Sequence, residues 1–203
     1  GDRFNFDNLD SILSTGSPLN EENFQFVYDY WKKNVQLSSI SGGTDIISCF
    51  ALGNPNLPVY KGDLQCLGLG MNVKSYDENG ISVISEKGEL VCETPFPSMP
   101  IYFWGDKDGG KYHDAYFAKF KEKWTHGDYI SINQMGGVRI FGRSDATLNP
   151  GGVRIGTSEI YKVVEKIDGV LDSVAISKNI DGDEKILLFV KMSKELDNEI
   201  NNL

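Results

Sequence analysis

One turn in this sequence places a hydroxyl and a carboxylate directly after two glycines. The segment is Ser41-Gly42-Gly43-Thr44-Asp45. Glycines let the backbone approach a ligand closely, and Thr44 with Asp45 could serve a phosphate oxygen and a divalent cation together. The alternative interpretation is a polar hairpin turn without a ligand.

Two further clusters, the last of them made of two segments, carry charged side chains that suit a nucleotide. In His126-Gly127-Asp128, a carboxylate on a tight turn could accept two hydrogen bonds from a sugar diol. The segments Gly142-Arg143-Ser144-Asp145 and Pro150-Gly151-Gly152-Val153-Arg154 hold arginines that suit phosphate oxygens through forked hydrogen bonds. An ordinary turn and a solvated linker are the alternatives.

The two histidines, His113 and His126, give little support to a zinc site or a Ser-His-Asp triad. They lie thirteen positions apart, and no cysteine lies near either of them in the sequence. We therefore interpret them as ordinary surface or turn histidines.

Short elements must position these turns. Apolar spacing predicts a helix over Asn20–Lys33, with Asn20 as its N-cap. From Val35 to Thr94 short apolar runs alternate with turn residues, which indicates mostly antiparallel sheet. A short helix over Tyr112–Phe120 and a strand pair, Tyr129–Ile132 with Val138–Phe141, follow.

The composition changes after Gly142, where turn-forming residues predict a linker or an active loop. Beyond it we expect a helix over Thr157–Ile167 with Thr157 as its cap, and strands at Ser173–Ile176 and Lys185–Met192. The predicted fold class is therefore α/β in the mixed α+β sense, a β-rich part followed by a small α+β unit.

Composition restricts the partners of the chain. Its 203 residues carry a net charge of −9, with 40% hydrophobic and 24% charged residues, as in a globular protein. The negative field argues against a general nucleic-acid or anionic-membrane surface. Three cysteines without a Cys-x-x-Cys pair fit a reducing compartment, so we expect a cytoplasmic protein.

Together and in this order, the clusters resemble the adenylate-forming superfamily of acyl-CoA synthetases, luciferases and peptide-synthetase adenylation domains. Ser14-Thr15-Gly16-Ser17-Pro18 is similar to the adenine-contacting turn of that superfamily. Thr44-Asp45 resembles its Thr-Glu pair, with Asp in place of Glu, and Gly88-Glu89-Leu90 resembles a structural strand motif. Gly127-Asp128 resembles the ribose-binding motif, and the run Gly142–Tyr161 is the most specific part.

The resemblance implies a role for each matched residue. Residues 1–144 would be the C-terminal part of a large AMP-binding domain, and 145–203 the hinge and an incomplete small domain. The implied roles are catalytic for Thr44, Asp45 and Arg154, nucleotide-binding for Gly16, Ser17, Pro18, Thr44, Asp128 and Arg143, Mg²⁺-binding for Asp45, CoA-binding for Gly151 and Gly152, and hinge for Asp145.

Within the superfamily, Ser39–Ile46, Phe96–Pro100 and Asp145–Thr157 most resemble the acetoacetyl-CoA synthetase branch. The implied substrates are acetoacetate, ATP and CoA, with Mg²⁺ and without a tightly bound cofactor or a protein partner. Another short-chain acyl-CoA ligase and a non-enzymatic nucleotide-binding relative are the alternatives.

The resemblance also suggests how the acid is chosen. Acetyl-CoA synthetases have a tryptophan where this chain has Gly42, so Gly42 and Gly43 would leave room in the acyl pocket for acetoacetate. The alternative is that these glycines only permit a tight turn. The superfamily's phosphate loop and adenylation lysine are missing from these residues, so we expect a fragment that is inactive alone.

Overall fold

The computed structural model describes residues 4–144, 147–148, 155–180 and 183–193 of the chain. The chain divides into two compact units, Gly1–Ile140 and Phe141–Leu203. The domain boundary between residues 144 and 145 stays a prediction, because Asp145 lies outside the described residues.

The first unit begins with a small parallel sheet and one helical segment. Strand β1 (Ser11–Ser14) pairs in parallel with β2 (Gln36–Ser39). Between them, helix α1 (Glu21–Phe26) continues as a π-helical turn over Val27–Trp31, within the predicted helix. This segment packs on β2 through an apolar cluster of buried residues: Phe24, Val27, Val35 and Leu37.

A second, antiparallel sheet of three strands carries the glycine-rich turn. Its order is β3 (Ser41–Gly43), β4 (Ser48–Leu52) and β5 (Cys66–Leu67). The turn between β3 and β4 therefore holds Thr44 and Asp45.

A five-stranded sheet forms the centre of the first unit. Its strand order is β10-β9-β8-β6-β7, and β8 pairs antiparallel with both β6 and β9. The strands are β6 (Val73–Tyr76), β7 (Ser82–Val83), β8 (Gly88–Cys92), β9 (Trp124–Ile132) and β10 (Val138–Arg143).

The main core lies between this sheet and the turn of β3 and β4. Its buried residues come from both sheets and from the connections between them: Ile46, Phe50, Ala51, Leu64, Met71, Val73, Leu90, Cys92, Phe96, Trp124, Ile130, Ile132 and Val138. Burial of apolar area of this extent is the main stabilising contribution to a fold of this size.

Helix α2 spans Gly110–Tyr116, so it starts and ends earlier than the predicted Tyr112–Phe120. Asp106 accounts for the earlier start, because its carboxylate accepts hydrogen bonds from the backbone N–H groups of Lys111 (3.2 Å) and Tyr112 (2.9 Å). These bonds, the Tyr112 one first, lower the pKa of Asp106 below its ordinary value. A carboxylate at this place satisfies N–H groups that have no partner within the helix.

The second unit holds short strands, one helix and a long hairpin. Strand β11 (Thr147–Leu148) pairs antiparallel with β12 (Ile155–Gly156), and helix α3 (Thr157–Val164) follows. Gly156 rather than Thr157 is the N-cap of α3. Strands β13 (Val170–Ile180) and β14 (Asp183–Met192) are antiparallel and longer than predicted.

None of the helices in the described part of the chain has the length and apolar character that a membrane crossing requires.

Candidate active site

Strand β9 carries a bulge at His126-Gly127-Asp128, the second predicted cluster. The register of β8 and β9 shifts between Glu89 and Val91, so these three residues lie opposite Leu90 alone. Gly127 has a φ of +81°, in the left-handed region that glycine adopts without steric cost. A bulge of this kind re-aims the side chains beside it.

A buried carboxylate holds the bulge. Glu89, only 2% exposed, accepts a hydrogen bond from the Gly127 backbone N–H at 3.1 Å through Oε1. Its Oε2 forms an ion pair with Lys119 Nζ at 2.6 Å. Because a buried charge is tolerated only when it is paired, these contacts account for Glu89 in the strand motif.

The bulge brings the side chains of His126 and Asp128 to the same side of β9. His126 is 6% exposed and Asp128 is 7% exposed. The distance from His126 Nε2 to Asp128 Oδ2 is 3.8 Å. The predicted ribose-binding carboxylate therefore lies beside a buried imidazole.

The surroundings of His126 define which ring nitrogen carries the proton. Trp124 Nε1 donates to His126 Nδ1 at 3.4 Å, and an indole N–H can only donate. Nδ1 is therefore the acceptor, which assigns the proton to Nε2. The Nε2 atom lies 3.3 Å from the Gly42 carbonyl oxygen and 3.8 Å from the Asp128 carboxylate.

The interpretation of both histidines as surface or turn residues is correct for His113 and wrong for His126. His113 is exposed at the helix, whereas His126 is buried in the sheet. An alternating pattern in the sequence could have predicted the burial of His126. The pattern consists of Trp124, His126, Asp128 and Ile130, which share one face of a strand. The turn-like composition of His126-Gly127-Asp128 concealed that period.

Gly42 and Gly43 lie on β3, where a side chain would meet other atoms at once. A Cβ at Gly42 would lie 2.0 Å from the backbone oxygen of Ser48 on β4. A Cβ at Gly43 would lie 2.7 Å from His126 Cε1. The free space predicted at Gly42 is therefore not found beside its Cα, and the assignment of both glycines to the acyl pocket stays a prediction.

Thr44 and Asp45 lie exposed on the turn between β3 and β4. The next residue, Ile46, is fully buried and anchors the turn in the core. The backbone N–H of Ile47 closes the turn with bonds to the Gly43 oxygen (3.1 Å) and the Thr44 oxygen (3.2 Å). The two predicted phosphate- and metal-binding side chains thus lie on a hydrogen-bonded turn that is anchored in the core by Ile46.

Trp124 contacts one residue bonded to the Thr44-Asp45 turn and one residue of the β9 bulge. Tyr116 of α2 stacks on its indole, with ring centroids 3.6 Å apart and an interplanar angle of 14°. The Tyr116 hydroxyl donates to Asp45 Oδ2, while the Trp124 indole N–H donates to His126. The structure therefore connects Asp45 and Asp128 through aromatic side chains.

The loop with Gly16, Ser17 and Pro18 is exposed and follows β1. The backbone N–H of Ile40 donates to the Ser14 oxygen at 2.9 Å, so this loop leaves β1 next to the start of β3. The predicted adenine-contacting turn therefore begins close in space to the glycine-rich strand β3.

The third cluster is only partly described. Arg143 is exposed at the end of β10. Asp145, Gly151, Gly152 and Arg154 lie outside the described residues.

The residues around Asp45 fit a Mg²⁺ site only of the kind in which substrate phosphates and water supply most of the ligands. In the described ranges, no group of three or more His, Cys, Asp or Glu side chains could hold a metal ion. Mg²⁺ needs no such group when substrate phosphates and water complete its ligands, because one or two carboxylates then suffice. The exposed Asp45 carboxylate fits that kind of site.

No protein-family model matches the chain. An acetoacetyl-coenzyme A synthetase of Rhizobium meliloti is 54% identical over 183 residues, which covers 90% of this chain and 28% of that protein. An acetoacetyl-CoA synthetase of Xenopus tropicalis is 52% identical over 191 residues, covering 93% of this chain and 28% of that protein. The chain therefore spans 28% of the length of these curated relatives.

Solved structures agree with this similarity. The acetoacetyl-CoA synthetase from Streptomyces lividans has a TM-score of 0.79 and 41% identity, covering 91% of this chain and 28% of that one. An anthranilate CoA ligase in complex with anthranoyl-AMP has a TM-score of 0.72 at 19% identity, covering 98% of this chain and 37% of that one, which shows the fold alone. The predicted fold class and resemblance are confirmed.

Proposed function

Because this chain is a relative of acetoacetyl-CoA synthetases over 90% of its length, we propose that it is part of an ATP-dependent acid–thiol ligase. The proposed reaction has two steps. The acetoacetate carboxylate attacks the α-phosphorus of ATP, which releases pyrophosphate and leaves an acyl-adenylate. The CoA thiolate then attacks the acyl carbon and displaces AMP, which gives acetoacetyl-CoA.

The observation that carries the proposal is the junction at His126. His126 Nε2 lies 3.3 Å from the carbonyl oxygen of Gly42, on the strand that leads into Thr44 and Asp45. The same nitrogen lies 3.8 Å from Asp128 Oδ2, on the bulge of β9. An adenylate-forming reaction needs the sugar and the phosphates of one nucleotide held at fixed separation. Positioning of this kind supplies much of the rate in phosphoryl transfer.

In this proposal the described residues bind and orient the nucleotide. Asp128 accepts hydrogen bonds from the ribose hydroxyls, and the Gly16-Ser17-Pro18 loop contacts the adenine. Thr44 donates its hydroxyl to a phosphate oxygen, and Asp45 would hold Mg²⁺. Bound Mg²⁺ would neutralise charge on the phosphates. The resemblance alone assigns a ribose contact to Arg143.

The remaining roles rest on the resemblance alone. Arg154 would contact the phosphates, Gly151 and Gly152 would let CoA approach the backbone, and Asp145 would be the hinge between the large and small domains. A hinge residue must absorb a large change in φ and ψ.

The cysteines support a cytoplasmic location in this proposal. All three, Cys49, Cys66 and Cys92, are free thiols. Burial raises the pKa of the Cys49 and Cys92 thiols, so both are protonated and unreactive at neutral pH. Free thiols without disulfides are usual in a reducing compartment.

Acid-dependent exchange between ATP and labelled pyrophosphate tests the first step in the full-length enzyme. We expect exchange with acetoacetate to exceed exchange with acetate or butyrate, and thioester to form when CoA is added. A preference for another acid would favour a different short-chain ligase. ATP binding without exchange on any acid would favour a non-enzymatic nucleotide-binding relative.

Asp128→Ala provides the site control for that experiment. The ribose hydroxyls would lose a charged acceptor, so we expect the KM for ATP to rise; a hydrogen bond to a charged group is worth about 1.5–3 kcal/mol. Asp114→Ala is the matched control, because the Asp114 side chain is 81% exposed on α2. An unchanged KM for ATP in Asp128→Ala would remove the ribose role.

A further inference from the structure

Tyr116 makes a contact that the proposed reaction does not use. It is the last residue of α2, and its hydroxyl donates a hydrogen bond of 2.5 Å to Asp45 Oδ2. The two residues are 71 positions apart in the sequence. This contact ties the helix to the turn that carries the candidate metal-binding carboxylate.

The position of the Tyr116 hydroxyl is set by the core. Its ring stacks on Trp124 at 3.6 Å, and Trp124 is only 1% exposed. Trp124 is itself held by the hydrogen bond from its indole to His126. An offset or parallel aromatic stack of this kind restricts rotation of the outer ring.

Asp45 needs such a restraint more than a buried residue would. Its backbone is fixed by the buried Ile46, but its side chain lies exposed on the turn. A hydrogen bond to Oδ2 sets the plane of the carboxylate and leaves Oδ1 for another ligand. The phenol donates this hydrogen bond without bringing a cationic side chain to the carboxylate.

We infer that Tyr116 is a positioning residue that orients the Asp45 carboxylate for magnesium. This inference rests on the proposed function, in which Asp45 holds Mg²⁺ beside the ATP phosphates. Preorganising a ligand group reduces the conformational freedom lost on binding, so it raises affinity without adding a new contact to the metal.

Helix α2 offers a matched pair of variants for the test. Tyr116→Phe removes the hydroxyl and keeps the ring on Trp124. Tyr112→Phe removes a hydroxyl from the same helix that donates to the Pro100 carbonyl oxygen at 2.6 Å. The Tyr112 and Tyr116 rings are 6.1 Å apart, so both belong to one aromatic cluster.

The measurement is the Kd for ATP in the full-length enzyme, by titration calorimetry at graded Mg²⁺ concentrations, without acetoacetate or CoA. The same Mg²⁺ series is then applied to pyrophosphate exchange. We expect Tyr116→Phe to raise the half-saturating Mg²⁺ concentration about threefold to tenfold in both assays, the range given by one ordinary net hydrogen bond. At saturating Mg²⁺ the Kd should return to that of the parent enzyme, and Tyr112→Phe should match the parent throughout.

Three results would overturn the inference. The first is an unchanged Mg²⁺ midpoint in Tyr116→Phe, and the second is a lower midpoint in Tyr116→Phe, which would mean that the hydroxyl competes with the metal. The third is an equal shift in Tyr112→Phe. Asp45→Asn separates this failure from failure of the proposed function. If Asp45→Asn shifts the midpoint and Tyr116→Phe does not, only the role of Tyr116 fails. If the parent enzyme binds no ATP, the proposed function fails and the inference with it.

Discussion

A single imidazole, that of His126, joins β9 to a carbonyl 84 positions earlier in the chain. It accepts from one buried donor, the Trp124 indole, and donates to one half-buried acceptor, the Gly42 oxygen, so both its ring nitrogens are used. Buried polar groups that lose a partner cost more than the net value of the bond. The consequence should be measurable as stability, apart from any role in catalysis.

We expect His126→Phe to lower the free energy of unfolding by about 1–3 kcal/mol, because Trp124 Nε1 and the Gly42 oxygen would lose a hydrogen-bond partner. The midpoint of denaturant unfolding in the full-length protein measures it. His113→Phe, at an exposed position on α2, is the control and should leave the midpoint unchanged. Equal effects of the two changes would contradict the assigned hydrogen bonds.

Glu93 should make stability depend on pH. A hydrogen bond from the Tyr76 hydroxyl, and then one from Lys123, lower the pKa of Glu93 below its ordinary value of 4.5. A lowered carboxyl pKa means that the folded state binds fewer protons than the unfolded state. This contribution is therefore complete above about pH 4.5, and it is lost as the pH falls through the pKa of the folded state.

Glu93→Gln should accordingly lower the unfolding midpoint at pH 7, and the difference from the parent protein should shrink at pH 3. The effect should be small, because Glu93 is partly exposed and solvent screens the pair. Glu86→Gln is the control, since Glu86 lies on the surface. A difference that stays constant from pH 7 to pH 3 would rule out ionisation as its cause.

Among the elements, strands β3 and β4 depend on the absence of a side chain at Gly42. We expect Gly42→Ala to destabilise the protein by about 1–3 kcal/mol, the usual cost of overpacking, because its Cβ would overlap backbone that cannot rotate away. Gly110→Ala is the control: its Cβ would meet only the flexible Asp108 side chain, at 3.4 Å. Unfolding midpoints compare the two.

The same variant tests the acyl-pocket assignment. If Gly42 only permits the strands to approach, Gly42→Ala should lower kcat/KM for acetoacetate and acetate by the same factor. A variant that folds normally but changes the ratio between the two acids would support the pocket assignment instead.

The sequence patterns predict the helices and strands better than they predict the contacts between them. The helix at Asn20–Lys33 and the antiparallel middle of the chain follow from apolar periodicity, which local sequence carries directly. The sequence pattern predicts that β9 begins at Tyr129, whereas the strand begins at Trp124. The bulge explains the difference, because its stability comes from Glu89 on another strand, which no local pattern contains.

Within the candidate site, the residue types were predictable and their connections were not. Asp45 lies on a turn and Asp128 in the bulge of β9, but both stand in turn-like sequence segments, so their chemistry could be proposed from residue type. Tyr116 and Trp124 have no motif of their own, and only the packing of α2 on β9 shows that they join the two carboxylates.

For the whole chain, the distribution of charge bears on what it can do alone. The net charge is −9, and the described side chains of the candidate site include the carboxylates of Asp45, Asp128 and Glu89, of which Glu89 is paired with Lys119. ATP, acetoacetate and CoA are all anions. Binding them requires cations, which in the proposal come from Mg²⁺, Arg143, Arg154 and parts of the relatives that this chain does not match.

We therefore expect the 203-residue chain by itself to form no thioester. It spans 28% of the length of its relatives, and by the resemblance it lacks both the phosphate loop and the adenylation lysine. Losing even one well-placed transition-state donor costs about 2.7–4 kcal/mol, a factor of about 10²–10³ in rate, and here several are missing. The measurement is acetoacetate-dependent AMP release by the purified chain, with the full-length enzyme as the positive control and heat-treated chain as the background. AMP release above that background would show that the residues described here suffice for the chemistry, and that the missing cations are not needed.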